Sequence, residues 1–284
     1  MFGFQRGIHM ERVKRNERLG AMTRILTSEN NRIHTLSEFC DLFGSAKSTI
    51  SEDVDLIDES LKKYDMGSVD TVAGAAGGVR YRATMSKERV RGILQDLGRK
   101  LSDPNRLLPG GFLYTSDVSS DPNVTELLGN ILAMQFYEAQ PDFVLTMETK
   151  GIPLALMTAR AINVPLVIAR RDSKAYEGSA VKINYISGAE NERIETMALS
   201  RRAVTAGSRA LIIDDFMKGG GTLQGMVEMM AEFQAEVVGI GVMISTAQPE
   251  EKRCKDAKSL LVLQAIDRNT GTCVVEPSKD VLVD

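Results

Sequence analysis

Histidine is almost missing from this chain: His9 and His34 are the only two among 284 residues. A histidine metal site or a nucleophile–histidine triad is thereby all but excluded. Cysteine is scarce as well. Cys40, Cys254 and Cys273 are odd in number and show no CxxC spacing, which argues against a disulfide scaffold or a zinc ribbon. No apolar run approaches the roughly 18 residues of a transmembrane helix. The opening MFGFQRGIHMERVKRN lacks the apolar core of a signal peptide, and Met10 offers an alternative start. These absences lead to the expectation of a cytoplasmic protein with no membrane partner, no metal site and no required cofactor. Charge of one sign is also lacking. A formal net charge of -3 disfavours a whole-surface polyanion binder but leaves room for a local basic face. The hydrophobic fraction of 43% and charged fraction of 26% are those of an ordinary folded protein, and the length allows two domains.

What is present concentrates in one stretch, LIIDDFMKGGGT at 211–222. Leu211, Ile212 and Ile213 read as a buried parallel strand. Asp214 and Asp215 follow, then Phe216, Met217, Lys218, Gly219, Gly220, Gly221 and Thr222, then helical periodicity over 223–233. In α/β sheets, ligands bind at the carboxyl ends of strands. Glycines let the backbone approach a phosphate, and a helix N-terminus offers unpaired N–H groups. Thr222 is expected to cap that helix and to donate its hydroxyl to the same anion. Paired carboxylates beside a phosphate need an uncharged partner, and adjacent ribose hydroxyls fit, since a carboxylate only accepts hydrogen bonds. A tight turn with a fortuitous acidic pair is the plainer alternative. It is disfavoured because crowding two unpaired carboxylates costs energy. The order of parts is neither Walker A nor a dinucleotide fingerprint. It resembles the phosphoribosyl pyrophosphate motif of type I phosphoribosyltransferases.

The surrounding chain alternates. Strands are predicted at 112–114, 143–146, 165–169, 194–199 and 237–244, helices at 123–137 and 152–162, and a closing strand pair at 260–265 and 272–275. Such alternation implies a mostly parallel sheet with helices on both faces. Two further loops fall at strand ends. Thr149, Lys150 and Gly151 can hold a pyrophosphate through backbone N–H groups and one ammonium. Arg171 and Lys174, with Arg170, add cations after the strand LVIA. Both loops also read as solvated turns when taken alone. Residues 175–189 suggest a mobile hairpin, with Tyr185 read as a strand aromatic.

Residues 1–85 read differently. A helix over 12–28 places Val13, Leu19, Met22, Ile25 and Leu26 near one face. Thr35 with Glu38 forms a capping box, and Gly44 is a natural stop. Ser45 or a near neighbour caps a third helix, so helices two and three stand at helix-turn-helix spacing. Two short strands around AGAAGG complete a winged helix. Ser45, Lys47, Ser48, Thr49 and Ser51 at the start of the third helix suit phosphate contacts and approach to base edges. Lys14, Arg15 and Arg18 on the first helix, and Arg80 and Arg82 on the wing, are expected to add backbone contacts. A dimerisation module is the alternative, since this segment is close to charge-neutral. A capped helix over 86–102 links to the second domain, giving domains at 1–85 and 86–284.

SAKSTISED, AGAAGGV, LPGG, TKGIPLA, the EGS and INYISG hairpin, and LIIDDFMKGGGT together resemble the purine operon repressor family of Gram-positive bacteria. The resemblance covers most of the chain. It implies an α/β architecture: an N-terminal winged helix and a type I phosphoribosyltransferase-like domain without catalysis. The implied protein is a homodimer that binds double-stranded operator DNA at purine-biosynthesis genes, with repressor and activator both known among relatives. The implied effector is phosphoribosyl pyrophosphate, with or without Mg2+, and guanosine tetraphosphate can share the pocket. One departure is Gly219, where the family pattern carries alanine. Two other readings stay open: an active purine phosphoribosyltransferase with an appended interaction domain, and a phosphate-sugar sensor acting through a protein partner.

Overall fold

The computed structural model describes residues 13–74, 77–109, 112–172, 178–188, 193–267 and 270–281. The chain divides into two compact units between Thr84 and Met85.

The first unit orders α1 (Arg15–Ser28), α2 (Leu36–Phe43), α3 (Lys47–Lys63), β1 (Ser68–Val72) and β2 (Gly78–Arg82). Apolar residues at helical spacing meet in one core of Met22, Leu26, Phe39, Ile50, Val54, Ile57 and Tyr81. Thr35 caps α2 by accepting the Glu38 N–H at 3.2 Å. The Glu38 carboxylate, however, lies 3.4 Å from His34 Nδ1, so only the threonine half of the predicted capping box is in evidence. Gly44 ends α2 in the left-handed region, at φ 60. That turn delays α3, whose N-cap is Ala46 with no side-chain cap. Ser45 is therefore not the cap; its hydroxyl donates to the Phe43 carbonyl at 3.3 Å. Strands β1 and β2 pair antiparallel. His34 and Val79 exchange backbone hydrogen bonds at 2.8 Å, an antiparallel bridge that places a third backbone segment beside β2.

In the second unit, α4 (Lys87–Leu101) follows β2 after only Ala83–Ser86. Its apolar face is not left as a free linker. Val90, Leu94, Leu97 and Leu101 are buried in the unit's core, and the Ser102 hydroxyl accepts the Val275 N–H at 2.9 Å. Next come β3 (Leu107–Leu108), β4 (Phe112–Leu113), α5 (Ser116–Ser119), α6 (Pro122–Phe136), β5 (Phe143–Met147), α7 (Ile152–Ile162) and β6 (Leu166–Ala169). Then follow β7 (Ala180–Ser187), β8 (Arg193–Ser200), β9 (Arg209–Met217), α8 (Gly221–Glu232), β10 (Glu236–Thr246), β11 (Ala257–Asp267) and β12 (Thr272–Pro277).

Six strands form one sheet in the order β12-β11-β10-β9-β5-β6. All neighbours are parallel except β11 and β12. Two predicted strands lie elsewhere. The segment at Phe112 pairs only with Leu107–Leu108, a local partner across the LPGG turn. β8, predicted for the main sheet, pairs instead with β7 in a separate antiparallel hairpin. From β5 the chain runs through α7 to β6 on one side; from β9 it runs through α8 to β10 on the other. The direction of winding thus reverses between β5 and β9, the place where open α/β sheets bind ligands. Helix α7 packs with α4 and α6 on one face of the sheet, and α8 packs with the hairpin on the other.

Candidate functional site

The loops that leave β5 and β9 open side by side at this reversal. β9 is longer than predicted: it carries Asp214 and Asp215 within the strand, followed by Phe216 and Met217, rather than releasing them into the loop. Asp214 is only 7% exposed and accepts the Asp215 N–H at 3.0 Å. A Cβ added to Gly151 would lie 2.6 Å from Asp214 Oδ1 and 2.7 Å from Thr146 Oγ1. Only glycine lets the 149–151 loop sit so closely on the acid. The Thr146 hydroxyl, fully buried there, has no hydrogen-bond partner among the described residues.

The two acids are not equivalent. Burial, then the Asp215 charge, raises Asp214 well above the usual carboxylate range. Burial also raises Asp215, while the hydrogen bond with Asp214 and the Lys150 charge pull it back. Two carboxyls this close each make the other harder to ionise. The two predicted acids therefore differ in burial: Asp214 is packed against the 149–151 loop, and Asp215 is half-buried.

The glycine loop begins with exposed Lys218. Gly220, at φ 78, is the N-cap of α8. Thr222 lies inside the first turn, so it is not the predicted cap. Its side chain lies near Tyr185. Met217 is buried in the core and half-buried Phe216 packs towards the other face, so neither side chain is free for a ligand. Tyr185 is more than a strand aromatic. It is 5% exposed, donates to Glu195 Oε2 at 2.9 Å, and is pushed up to about 12 by burial and that carboxylate. Of the described residues in the hairpin predicted at 175–189, Tyr185 is the buried one; it joins Met197 and Leu199 of the facing strand β8 in the core. A Cβ on Gly221 would overlap the Ile186 carbonyl.

Thr149 and Lys150 are exposed at the head of α7, after a cis peptide at Glu148-Thr149. Glu148, which carries no motif signal beyond preceding TKG, joins the two basic loops. Its carboxylate accepts the Arg171 N–H at 2.8 Å and Arg170 Nη1 at 3.3 Å. Arg171 is thereby brought to the 149–151 loop. Lys174 lies outside the described residues, as does Glu177 of the EGS motif. Among the described residues no cluster of three metal-ligating side chains occurs.

In the first unit, Lys47, Ser48 and Ser51 are exposed at the start of α3, and Ser45 and Thr49 are half-buried. Lys14 is exposed. Arg18 is not: it is 6% exposed, and its Nε donates to Asp53, which is wholly buried. Arg15 Nε donates to the same carboxylate at 2.9 Å. Burial works to raise Asp53, but the two guanidiniums outweigh it and hold the carboxyl below its ordinary value. Arg18 is thus a structural tie between α1 and α3 rather than a contact for DNA. The wing arginines are also engaged, with Arg80 and Arg82 Nε 3.8 Å and 3.3 Å from Asp70. The face that stays open to a phosphate backbone is Lys14, Lys47, Ser48 and Ser51.

Comparison with known proteins places both units. Residues 14–83 match the family model described as bacterial purine repressor, N-terminal. Residues 120–277 match the phosphoribosyl transferase domain. The purine biosynthesis transcriptional repressor PurR of Bacillus subtilis is 43% identical over 254 residues, 89% of each chain. The purine biosynthesis transcriptional activator PurR of Lactococcus lactis is 39% identical over 90% of this chain and 94% of its own. Among solved structures, an adenine phosphoribosyltransferase of Giardia lamblia superposes on 64% of this chain and 100% of its own at 19% identity and a TM-score of 0.51, which shows a shared fold.

Proposed function

This chain belongs to the bacterial purine repressor family of transcriptional regulators, and we propose that its grip on operator DNA is set by phosphoribosyl pyrophosphate bound at the β5–β9 reversal. The observation that carries this reading is the convergence, at one switch point, of an acidic pair, a glycine loop and a lysine-bearing loop, in a chain that also holds a helix-turn-helix. The ribose hydroxyls donate to Asp215, and Asp214 holds the pocket's back wall. The 5-phosphate takes the amides at the head of α8. The pyrophosphate meets Lys150, the 149–151 amides and Arg171.

The first unit binds the operator through the start of α3, as a dimer whose two copies read paired half-sites. Repression relieved by the effector is the sense we assign. The protein works in the cytoplasm and carries out no transferase step: the hairpin that enzymes of this fold close over their reaction is here packed on α8 through Tyr185 and Gly221.

The test is a gel shift with an upstream fragment of a purine-biosynthesis gene, titrated with phosphoribosyl pyrophosphate at fixed salt. Release at concentrations where an unrelated polyphosphate is inert supports the reading. Binding that never responds overturns it. Pyrophosphate release from a purine base plus phosphoribosyl pyrophosphate would put the enzyme reading in its place.

A further inference from the structure

The chain between β10 and β11 makes a detour. Lys252 Nζ donates to the Lys218 carbonyl at 2.6 Å, and the Arg253 N–H donates to the Gly219 carbonyl at 2.9 Å. A Cβ on Gly220 would lie 2.9 Å from the Cys254 nitrogen. The segment thus backs the glycine loop before it joins the sheet, and β11 starts late. β9 pairs with β10 from Glu236 onwards, whereas β11 pairs with it only from Ile240, opposite Ala257. Over residues 236–239 the sheet has a strand neighbour on one side only, and a notch opens on the other.

The notch is a cleft of about 660 Å³, within the roughly 300–1,000 Å³ of small-molecule sites. Its walls are apolar. Phe136, at the end of α6, belongs to the core on one face of the sheet; Val227 of α8 and Val237 pack against the core on the other. Gly239 lets the Phe136 ring close on the strand, since a Cβ there would lie 2.6 Å from the ring. The rim carries more positive charge than negative: Arg253, Lys255 and Lys258 against Asp256. Lys255 and Lys258 are exposed. Lys258 Nζ stands 5.5 Å from the Phe136 ring centroid, so a cation and an aromatic ring meet at one wall. Such a slot selects a flat apolar body bearing an acid group. A peptide added as a strand fits less well, because four residues of edge are shorter than the usual strand of about five or six.

We propose that this notch is a second ligand site, separate from the pocket at the β5–β9 reversal, and that it takes a small, flat, apolar anion. The body of the ligand lies between α6 and α8, against Phe136 and Val227, and its acid group meets Lys255 and Lys258. No motif marks the site, because it is made by where β11 begins rather than by a run of residues.

The experiment is fluorescence titration of the full-length protein with anilinonaphthalene sulfonate, an aromatic sulfonate whose emission rises in apolar surroundings. Wild type is expected to bind one molecule per chain. Lys255→Glu combined with Lys258→Glu, both on the surface, should weaken the probe about tenfold. Val227→Trp fills the slot and should abolish binding, with the thermal midpoint as the check that it is folded; if it is not, the lysine pair decides alone. Inorganic pyrophosphate should not displace the probe. No binding by wild type, wild-type affinity in either folded variant, or displacement by pyrophosphate overturns the inference. The reading of the β5–β9 pocket stands or falls separately, on the operator titration.

Discussion

Asp53 and Asp214 are both buried acids, and their surroundings shift them in opposite directions. Asp53 has two guanidiniums and stays charged. Asn at this position would leave Arg18 buried without a counter-charge, which costs about 3–5 kcal/mol; denaturant unfolding at neutral pH should show that loss. The stabilisation from Asp53 is present above the ordinary carboxylate range and disappears as pH falls through its lowered folded value. Asp214 is buried beside another carboxyl, and both burial and that neighbour raise it above the ordinary carboxylate range. The linkage is therefore reversed: stability is highest in acid and declines as pH climbs from the unfolded carboxyl value towards the folded one. Asp214→Asn, an uncharged isostere, should flatten that decline in a calorimetric pH series while weakening the effector. Lys47→Ala should leave stability unchanged and reduce the salt slope of operator binding by about one. An unchanged slope would take α3 off the duplex.

At the scale of elements, the hairpin and α8 behave as one body. Gly221→Ala drives a methyl into the Ile186 carbonyl, and such overpacking costs about 1–3 kcal/mol. Thermal unfolding should report it, and effector affinity should fall more than operator affinity because the loop moves with the hairpin. The helices and parallel strands of this chain were legible because their apolar periods are local. The 152–162 helix was read to the residue, and the strand–acid–glycine–helix order located the pocket. What periodicity cannot supply is the partner. Arg18 looks like one more surface cation until Asp53, thirty-five positions on, is brought beneath it. β8 alternates like a sheet strand whichever neighbour it takes. Glu148 and Lys252 act through contacts across 23 and 34 positions, and neither belongs to a motif.

On the scale of the whole molecule, a net charge of -3 leaves attraction to DNA to a small face, so operator affinity should depend steeply on salt while effector affinity depends on it less. Asp214→Ala combined with Asp215→Ala should abolish the response of the operator complex to phosphoribosyl pyrophosphate and leave operator affinity within about twofold, since neither acid belongs to the unit that carries the helix-turn-helix. Gel shifts with and without effector check this; release that survives would move the pocket elsewhere.

Helix α4 has a use in protein engineering. Its apolar face is rooted in the core of the second unit, and Ala83 is already in the core of the first. The joint is thus narrowed to Thr84 and Met85. A chimera that exchanges the first 84 residues between a relative named repressor and one named activator keeps both cores whole, whereas a cut within α4 tears one open. Such a swap makes the direction of regulation a heritable property that can be traced to one half of the gene.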